Sequence, residues 1–179
     1  MVQIAAPTRS RIPSYVNLRH QVEETVERIN HRYQTAAWKP VLLIQRQCNH
    51  AELDLWYRAA NVCLVTALHD GMNLVAKEFV AARDDEDGVL VLSKFTGAAT
   101  ELLDALLVNP YDIEGVAMAI HQGLEMERGE RRIRMQRMRH HVMNHNIYRW
   151  AASLLGDLRE LRVESSEKTD ECHSSPAYQ

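Results

Sequence analysis

Five short apolar runs, each separated from the next by a stretch of helical spacing, set the strongest limit on what this chain can fold into. They are VQIAA (2–6), VLLIQ (41–45), VCLVT (62–66), VLVL (89–92) and ALLV (105–108). All are apolar almost throughout, as strands buried on both faces of a sheet are. Between the first two, residues 15–33 place Val16, Val22, Val26 and Ile29 near one helical stripe. Residues 50–60 do the same with Leu53, Trp56 and Tyr57, and residues 73–83 and 97–103 follow the same logic. Strands alternating with helices predict an α/β fold built on a mostly parallel sheet. After Pro110 the strand pattern stops. Residues 112–126, 129–143 and 147–161 all read as helix, the first with Asp112 as N-cap and Glu114 in its first turn. The expected organisation is one domain over residues 1–161, then a polar tail over 162–179 whose composition predicts disorder.

The bulk numbers narrow the function classes. With 179 residues, 46% of them hydrophobic, the chain can bury the core of one ordinary domain. A net charge of −3 gives no global basic field, so nucleic acid is not an expected partner. The three cysteines, Cys48, Cys63 and Cys172, are far apart and form no CxxC pair, which argues against a disulfide framework or a zinc site. A reducing cytoplasm fits that usage. No apolar stretch reaches the roughly 18 residues needed to span a bilayer, so no membrane partner is expected. The start, MVQIAAPTRSR, lacks the apolar core of a signal peptide and runs into a strand after one residue, which leads us to expect that something upstream is missing.

The densest chemistry lies in LVTALHDGMNLVAKE (64–78). In an open parallel sheet, ligands bind beyond the carboxyl ends of strands, and ALHDGMN occupies that end of the third strand. Gly71 lets the backbone turn tightly and approach a ligand. The amides of Met72, Asn73, Leu74 and Val75 then fall at a helix N-terminus, a ready seat for phosphate or sugar oxygens. Glu78 follows about one turn on, near 6 Å along the axis. Two readings stand side by side: Asp70 and Glu78 bracket one extended ligand, or Asp70 caps a helix and Glu78 is solvated. In a second glycine loop, SKFTGAATEL (93–102), Gly97 and Thr100 read as no more than a helix start. His141 and His145 have the i, i+4 spacing of a metal pair but no third ligand at motif spacing, so a surface pair is the expectation. Six arginines in RGERRIRMQRMRHH read as a solvated helix face rather than a phosphate stripe. Arg9 and Arg11 follow the first strand, where they are either a phosphate clamp or plain surface residues.

DGMNLVAKEFVAA, GVLVLSKFTGAATEL and ALLVNPYDIEGVAMAI, in that order, resemble the C-terminal part of the trehalose-6-phosphate synthase family. VQIAAPTRSRIPSY and NIYRWAASLL fit the same pattern, so the resemblance covers roughly residues 1–160. These are retaining glycosyltransferases with two Rossmann-like domains facing a cleft. The resemblance implies an incomplete C-terminal domain of such an enzyme, a Rossmann-like sheet with helices on both faces followed by C-terminal helices. It implies UDP-glucose as donor, glucose 6-phosphate as acceptor, and neither cofactor nor metal. Asp70, the residue nearest the chemistry, is implied to hold a glucose hydroxyl of the donor. The backbone at Gly71, Met72 and Asn73 is implied to meet the sugar, the amides of Leu74 and Val75 the diphosphate, and Glu78 the ribose hydroxyls. Cys48 falls where the family reads uracil through backbone atoms, and Arg9 where an arginine meets the acceptor phosphate. The implied mechanism has no protein nucleophile. The acceptor attacks the face from which UDP leaves, and the protein positions the reactants and stabilises the leaving diphosphate.

The chain departs from the family at two points. The usual Thr-Pro-Leu-Arg-Asp-Gly here reads Thr66, Ala67, Leu68, His69, Asp70, Gly71, which removes a positive charge beside the donor site. The N-terminal domain, and the first strand and helix of the C-terminal domain, have no counterpart. We therefore expect the isolated chain to be inactive and to need a polypeptide supplying the other domain. The alternatives are a non-catalytic UDP-glucose-binding module, a regulator bound to a full-length synthase, and a fragment of a glucosylglycerol-phosphate synthase.

Overall fold

The computed structural model describes residues 1–8, 11–145, 151, 152, 154–156 and 158. Among the described residues, strands and α-helices alternate as expected up to β4, after which a second strand and two helices follow: β1 (Val2–Ile4), α1 (Pro13–Tyr33), β2 (Leu42–Ile44), α2 (His50–Ala59), β3 (Val62–Val65), α3 (Leu74–Ala82), β4 (Val89–Ser93), β5 (Leu106–Val108), α4 (Ile113–Glu125) and α5 (Arg128–Asn144). All strand pairs are parallel. The chain divides into two compact units, Met1–Leu55 and Trp56 onward.

In the first unit β1 and β2 form a two-stranded sheet with Gln3 opposite Leu43. Helix α1 starts on Pro13, whose fixed φ and missing N–H suit the first turn. Its stripe of Val16, Val22, Val26 and Ile29 is the half-buried side of the helix, as the spacing predicts. Asn30 on that side locks the chain entering β2. Its side chain donates to Val41 O and accepts from Val41 N, both at 2.9 Å.

The second unit carries the core. Strand β4 is central in the sheet β3-β4-β5, and all five of its residues are buried. Leu90 and Leu92 pack with Phe79 and Val80 of α3 and Met135 and Met138 of α5. Val91 faces the other way, against Val108 and Ala119 of α4. The period-2 alternation of a strand therefore places helices on both faces. Gly123 lets α4 lie close to the sheet, since a Cβ there would stand 3.2 Å from Val89 Cγ1 and 3.3 Å from Val62 Cγ2.

Burial on both faces holds for β4 alone. Val2, Leu42 and Leu64 are exposed, each on a strand that stands at the edge of its sheet among the described residues. The helix expected over 97–103 is instead a 3-10 turn, Gly97–Thr100. Thr100 Oγ1 donates to Gly97 O at 2.8 Å, a local bond that competes with helix propagation, and β5 begins soon after. Asp112 is the N-cap of α4, accepting from Gly115 N at 3.0 Å. The expected helix at 147–161 lies mostly outside the described residues, and the tail lies wholly outside them. No helix among the described residues is long and apolar enough to cross a membrane.

The arginines of α5 fasten the helix to its own unit. Arg131 lies 2.8 Å and Arg128 3.5 Å from Asp87, and Arg132 lies 3.2 Å from Glu86. Arg137 pairs with Asp104, and Arg134, paired with Glu130 of the same helix, donates to Asp104 O at 3.1 Å. Arg139 donates to Val80 O and Ala81 O, satisfying carbonyls at the end of α3. Buried Arg83 does the same for the end of α2, donating to Tyr57 O, Arg58 O and Ala60 O while paired with Asp85. A ligand competing for these guanidinium groups would have to break such pairs.

Candidate functional site

Parallel pairing puts the loops that follow β3 and β4 at the same end of their sheet. The two loops are sewn together. Asp70 N donates to Phe95 O at 3.2 Å, Gly97 N to Asp70 O at 3.1 Å, and Ala98 N to Met72 O at 2.8 Å. Asp70 and Thr96 thereby form a parallel bridge beyond the regular strands. The second loop is itself stiffened by buried Ser93 and Thr96. Phe95 N donates to Ser93 Oγ at 3.2 Å, and Thr96 Oγ1 donates to Ser93 O at 2.9 Å.

Asp70 does not cap α3. Its carboxylate accepts from Met72 N at 3.1 Å and from Asn73 Nδ2 at 3.0 Å, closing the turn on itself. The cap is Asn73, whose Oδ1 accepts from Ala76 N at 2.9 Å. Asn73 adopts φ 72°, in the left-handed region that asparagine tolerates better than most residues. It is buried, with both ends of its amide used. The Asp70 carboxylate takes up one of the donors expected to be open, Met72 N, while the Asn73 cap takes Ala76 N. The N–H groups of Leu74 and Val75 make no hydrogen bond among the described residues and remain available at the helix start.

The two glycines exchange their expected roles. A Cβ on Gly71 would meet nothing within 4 Å, and its φ lies outside the left-handed region, so the fold does not require glycine there. A Cβ on Gly97 would stand 2.1 Å from Gly71 O and 3.0 Å from its carbonyl carbon. Gly97 is therefore the floor on which the Asp70 loop rests, not merely the start of a helix.

Glu78 is half-buried on α3 and accepts from Tyr57 Oη at 3.1 Å, so it is not a freely solvated carboxylate. Beside it on the helix, Lys77 Nζ reaches both oxygens of Glu101 at 3.0 and 2.9 Å. His141 Nε2 lies 3.3 Å from Glu101 Oε2, and its ring stacks on His145 with centroids 3.9 Å apart. The histidine pair thus belongs to a charge cluster joining α3, the 3-10 turn and α5. Burial pushes the Glu101 carboxyl up, but the hydrogen bonds and charges of Lys77 and His141 together outweigh it and hold the group below its ordinary value. Around the loops, Leu68, Met72, Leu74, Val75 and Phe95 are exposed. His69, standing where the family pattern has arginine, is exposed too.

Cys48 belongs to the first unit, half-buried, with Arg46 Nη1 3.8 Å from its sulfur. Arg46 also holds Glu52 with both guanidinium nitrogens. Burial and the Glu52 carboxylate raise the Cys48 thiol, which disfavours the thiolate. Arg9 lies outside the described residues, and Arg11 is exposed. Among the described residues, no group of three or more His, Cys, Asp or Glu side chains is arranged to hold a metal ion.

The structure thus gathers Asp70, Gly71, Met72, Asn73, Leu74 and Val75 around one loop and helix start, with Glu78 following on the same helix. Sequence reasoning missed the Asn73 cap, the Gly97 floor and the Tyr57 hydroxyl. An asparagine directly before an apolar helical run was the available signal for the first. Comparison with known proteins supplies the context. Residues 1–160 match the model of glycosyltransferase family 20. A trehalose-6-phosphate synthase of Mycobacterium marinum is 46% identical over 166 residues, covering 93% of this chain and 33% of the relative. An α,α-trehalose-phosphate synthase (UDP-forming) of Burkholderia xenovorans, solved with glucose-6-phosphate, superposes with a TM-score of 0.85 at 45% identity, over 88% of this chain and 35% of that one. An E. coli protein solved with UDP-2-fluoro glucose superposes with a TM-score of 0.84 at 42% identity, over 88% of this chain and 35% of its own. The chain spans about a third of the length of these relatives, and it belongs to glycosyltransferase family 20.

Proposed function

We propose that this chain is the donor-binding portion of an α,α-trehalose-phosphate synthase (UDP-forming), the enzyme that moves glucose from UDP-glucose to glucose 6-phosphate. The observation that carries the reading is the Asp70 loop, braced from behind by Gly97 and opening on the free amides of Leu74 and Val75, in a chain of this family. Asp70 holds a glucose hydroxyl, and the backbone at Gly71, Met72 and Asn73 lies against the sugar. The Leu74 and Val75 amides, at the positive end of α3, take the diphosphate and stabilise its charge as it leaves. Glu78 binds the ribose hydroxyls, the backbone at Cys48 reads uracil, and Arg9 meets the acceptor phosphate. The open space over Gly71 suits close approach of a sugar ring. Acceptor binding and turnover draw on residues beyond these 179, so the 179 residues alone bind donor without turnover. Calorimetric titration with UDP-glucose tests the binding, and folded protein that gives no heat overturns it. Trehalose 6-phosphate made by the purified chain alone would overturn the division of labour.

Exposed His69, standing where the family pattern has an arginine beside the donor site, favours a second reading, a non-catalytic UDP-glucose-binding module that associates with a complete synthase. Adding the chain to such a synthase and measuring its rate separates the two.

A further inference from the structure

The Tyr57–Glu78 contact joins the end of α2 to α3 inside the second unit. Tyr57 Oη donates to Glu78 Oε2 at 3.1 Å. The tyrosine ring meets Phe79 edge-on, centroids 6.2 Å apart, and Phe79 is fully buried. That edge-to-face packing gives the ring a fixed seat. Burial first, and the Glu78 carboxylate second, raise the phenol, so Tyr57 keeps its proton and remains a donor across the working pH range. Glu78 makes no other hydrogen bond among the described residues, which leaves Oε1 free. A glutamate on a helix surface ordinarily samples several rotamers and loses them on binding a ligand. Here one oxygen is already tied.

We propose that Tyr57 is a positioning residue for the donor nucleotide: by holding Glu78 Oε2 it aims Oε1 at the ribose hydroxyls. The inference rests on the reading of Glu78 given above. It adds a residue outside the loop and helix start, and it predicts a selectivity that a packing role would not produce. Pre-orienting the carboxylate spares the ordering cost only for ligands that carry the hydroxyls it meets.

The test is calorimetric titration of the full chain with UDP and with its 2′,3′-dideoxy analogue, for the parent, Tyr57→Phe and Glu78→Gln. Tyr57→Phe keeps the ring and its contact with Phe79, and urea denaturation checks that it folds. Glu78→Gln is expected to weaken UDP selectively, leaving the dideoxy analogue unchanged. Tyr57→Phe is expected to do the same to a smaller extent, about fivefold, the net worth of one hydrogen bond. Equal UDP affinity in Tyr57→Phe and parent overturns the proposal, as does an equal loss for both ligands, which would mark a packing role. If Glu78→Gln shows no selective loss, or the folded parent binds no UDP, the reading of Glu78 fails and the proposal with it.

Discussion

Replacing Gly97 by alanine puts one methyl group where the Asp70 loop rests. The new Cβ would lie 2.1 Å from Gly71 O, and that contact must open to at least 3.0 Å. The obstacle is backbone, so no rotamer change relieves it. Three hydrogen bonds cross this seam, at 3.2, 3.1 and 2.8 Å. A retreat of that size stretches them past useful length. Each is worth about 1 kcal/mol net, so Gly97→Ala should cost roughly 2–4 kcal/mol. In urea that corresponds to a midpoint lower by about 1–2 M. Gly71→Ala is the internal control. Its Cβ meets nothing within 4 Å and its φ is ordinary, so stability should change by no more than about 0.5 kcal/mol. The two variants should therefore separate the functions of the glycines: Gly97→Ala unfolds early, while Gly71→Ala folds normally and loses affinity for UDP-glucose. A Gly97→Ala midpoint equal to the parent's would refute the floor, and an equally large loss of stability in Gly71→Ala would refute the contrast.

Asn73→Ala removes the cap of α3 and leaves alanine in a left-handed backbone, a combined loss of about 2–3 kcal/mol by urea denaturation. Asn73→Gly keeps the backbone at ease and should cost roughly half as much. Acid should loosen the packing of α3 against α5 through Glu101. Its folded pKa is depressed, so its contribution is full above the ordinary carboxylate value and is lost as pH falls through the folded one. Denaturation midpoints measured between about pH 5 and pH 3 should fall less steeply in Glu101→Gln than in the parent. Equal slopes would dismiss the Lys77–Glu101–His141 cluster as a source of stability.

Strand and helix order were legible because hydrophobic periodicity reports burial, and the helical stripes of α1 and α2 are the half-buried sides. Burial itself was less legible: VQI and VLLI read as apolar as VLVL, yet only β4 has a sheet neighbour on each side and helices on both faces. The location of the loop at 68–73 followed from the strand-end rule, and its chemical reading from the family resemblance. The relation between the two loops did not follow, because it depends on contacts across residues distant in the chain. Sequence spacing cannot say that Gly97 touches Gly71 or that the Tyr57 hydroxyl reaches Glu78. The arginines of α5 illustrate the same limit. Their number was visible, but their pairing with Glu86, Asp87 and Asp104 depends on how α5 packs.

The central claim is that the Asp70 loop holds the sugar of a nucleotide donor. The most direct measurement is the UDP-glucose dissociation constant of Asp70→Ala beside that of the parent, with UDP as the comparison ligand. Losing a hydrogen bond to a charged group should weaken UDP-glucose about tenfold or more, and by more than it weakens UDP, which loses only the bracing of the loop that the carboxylate closes. Equal affinity of both proteins for UDP-glucose would contradict the account.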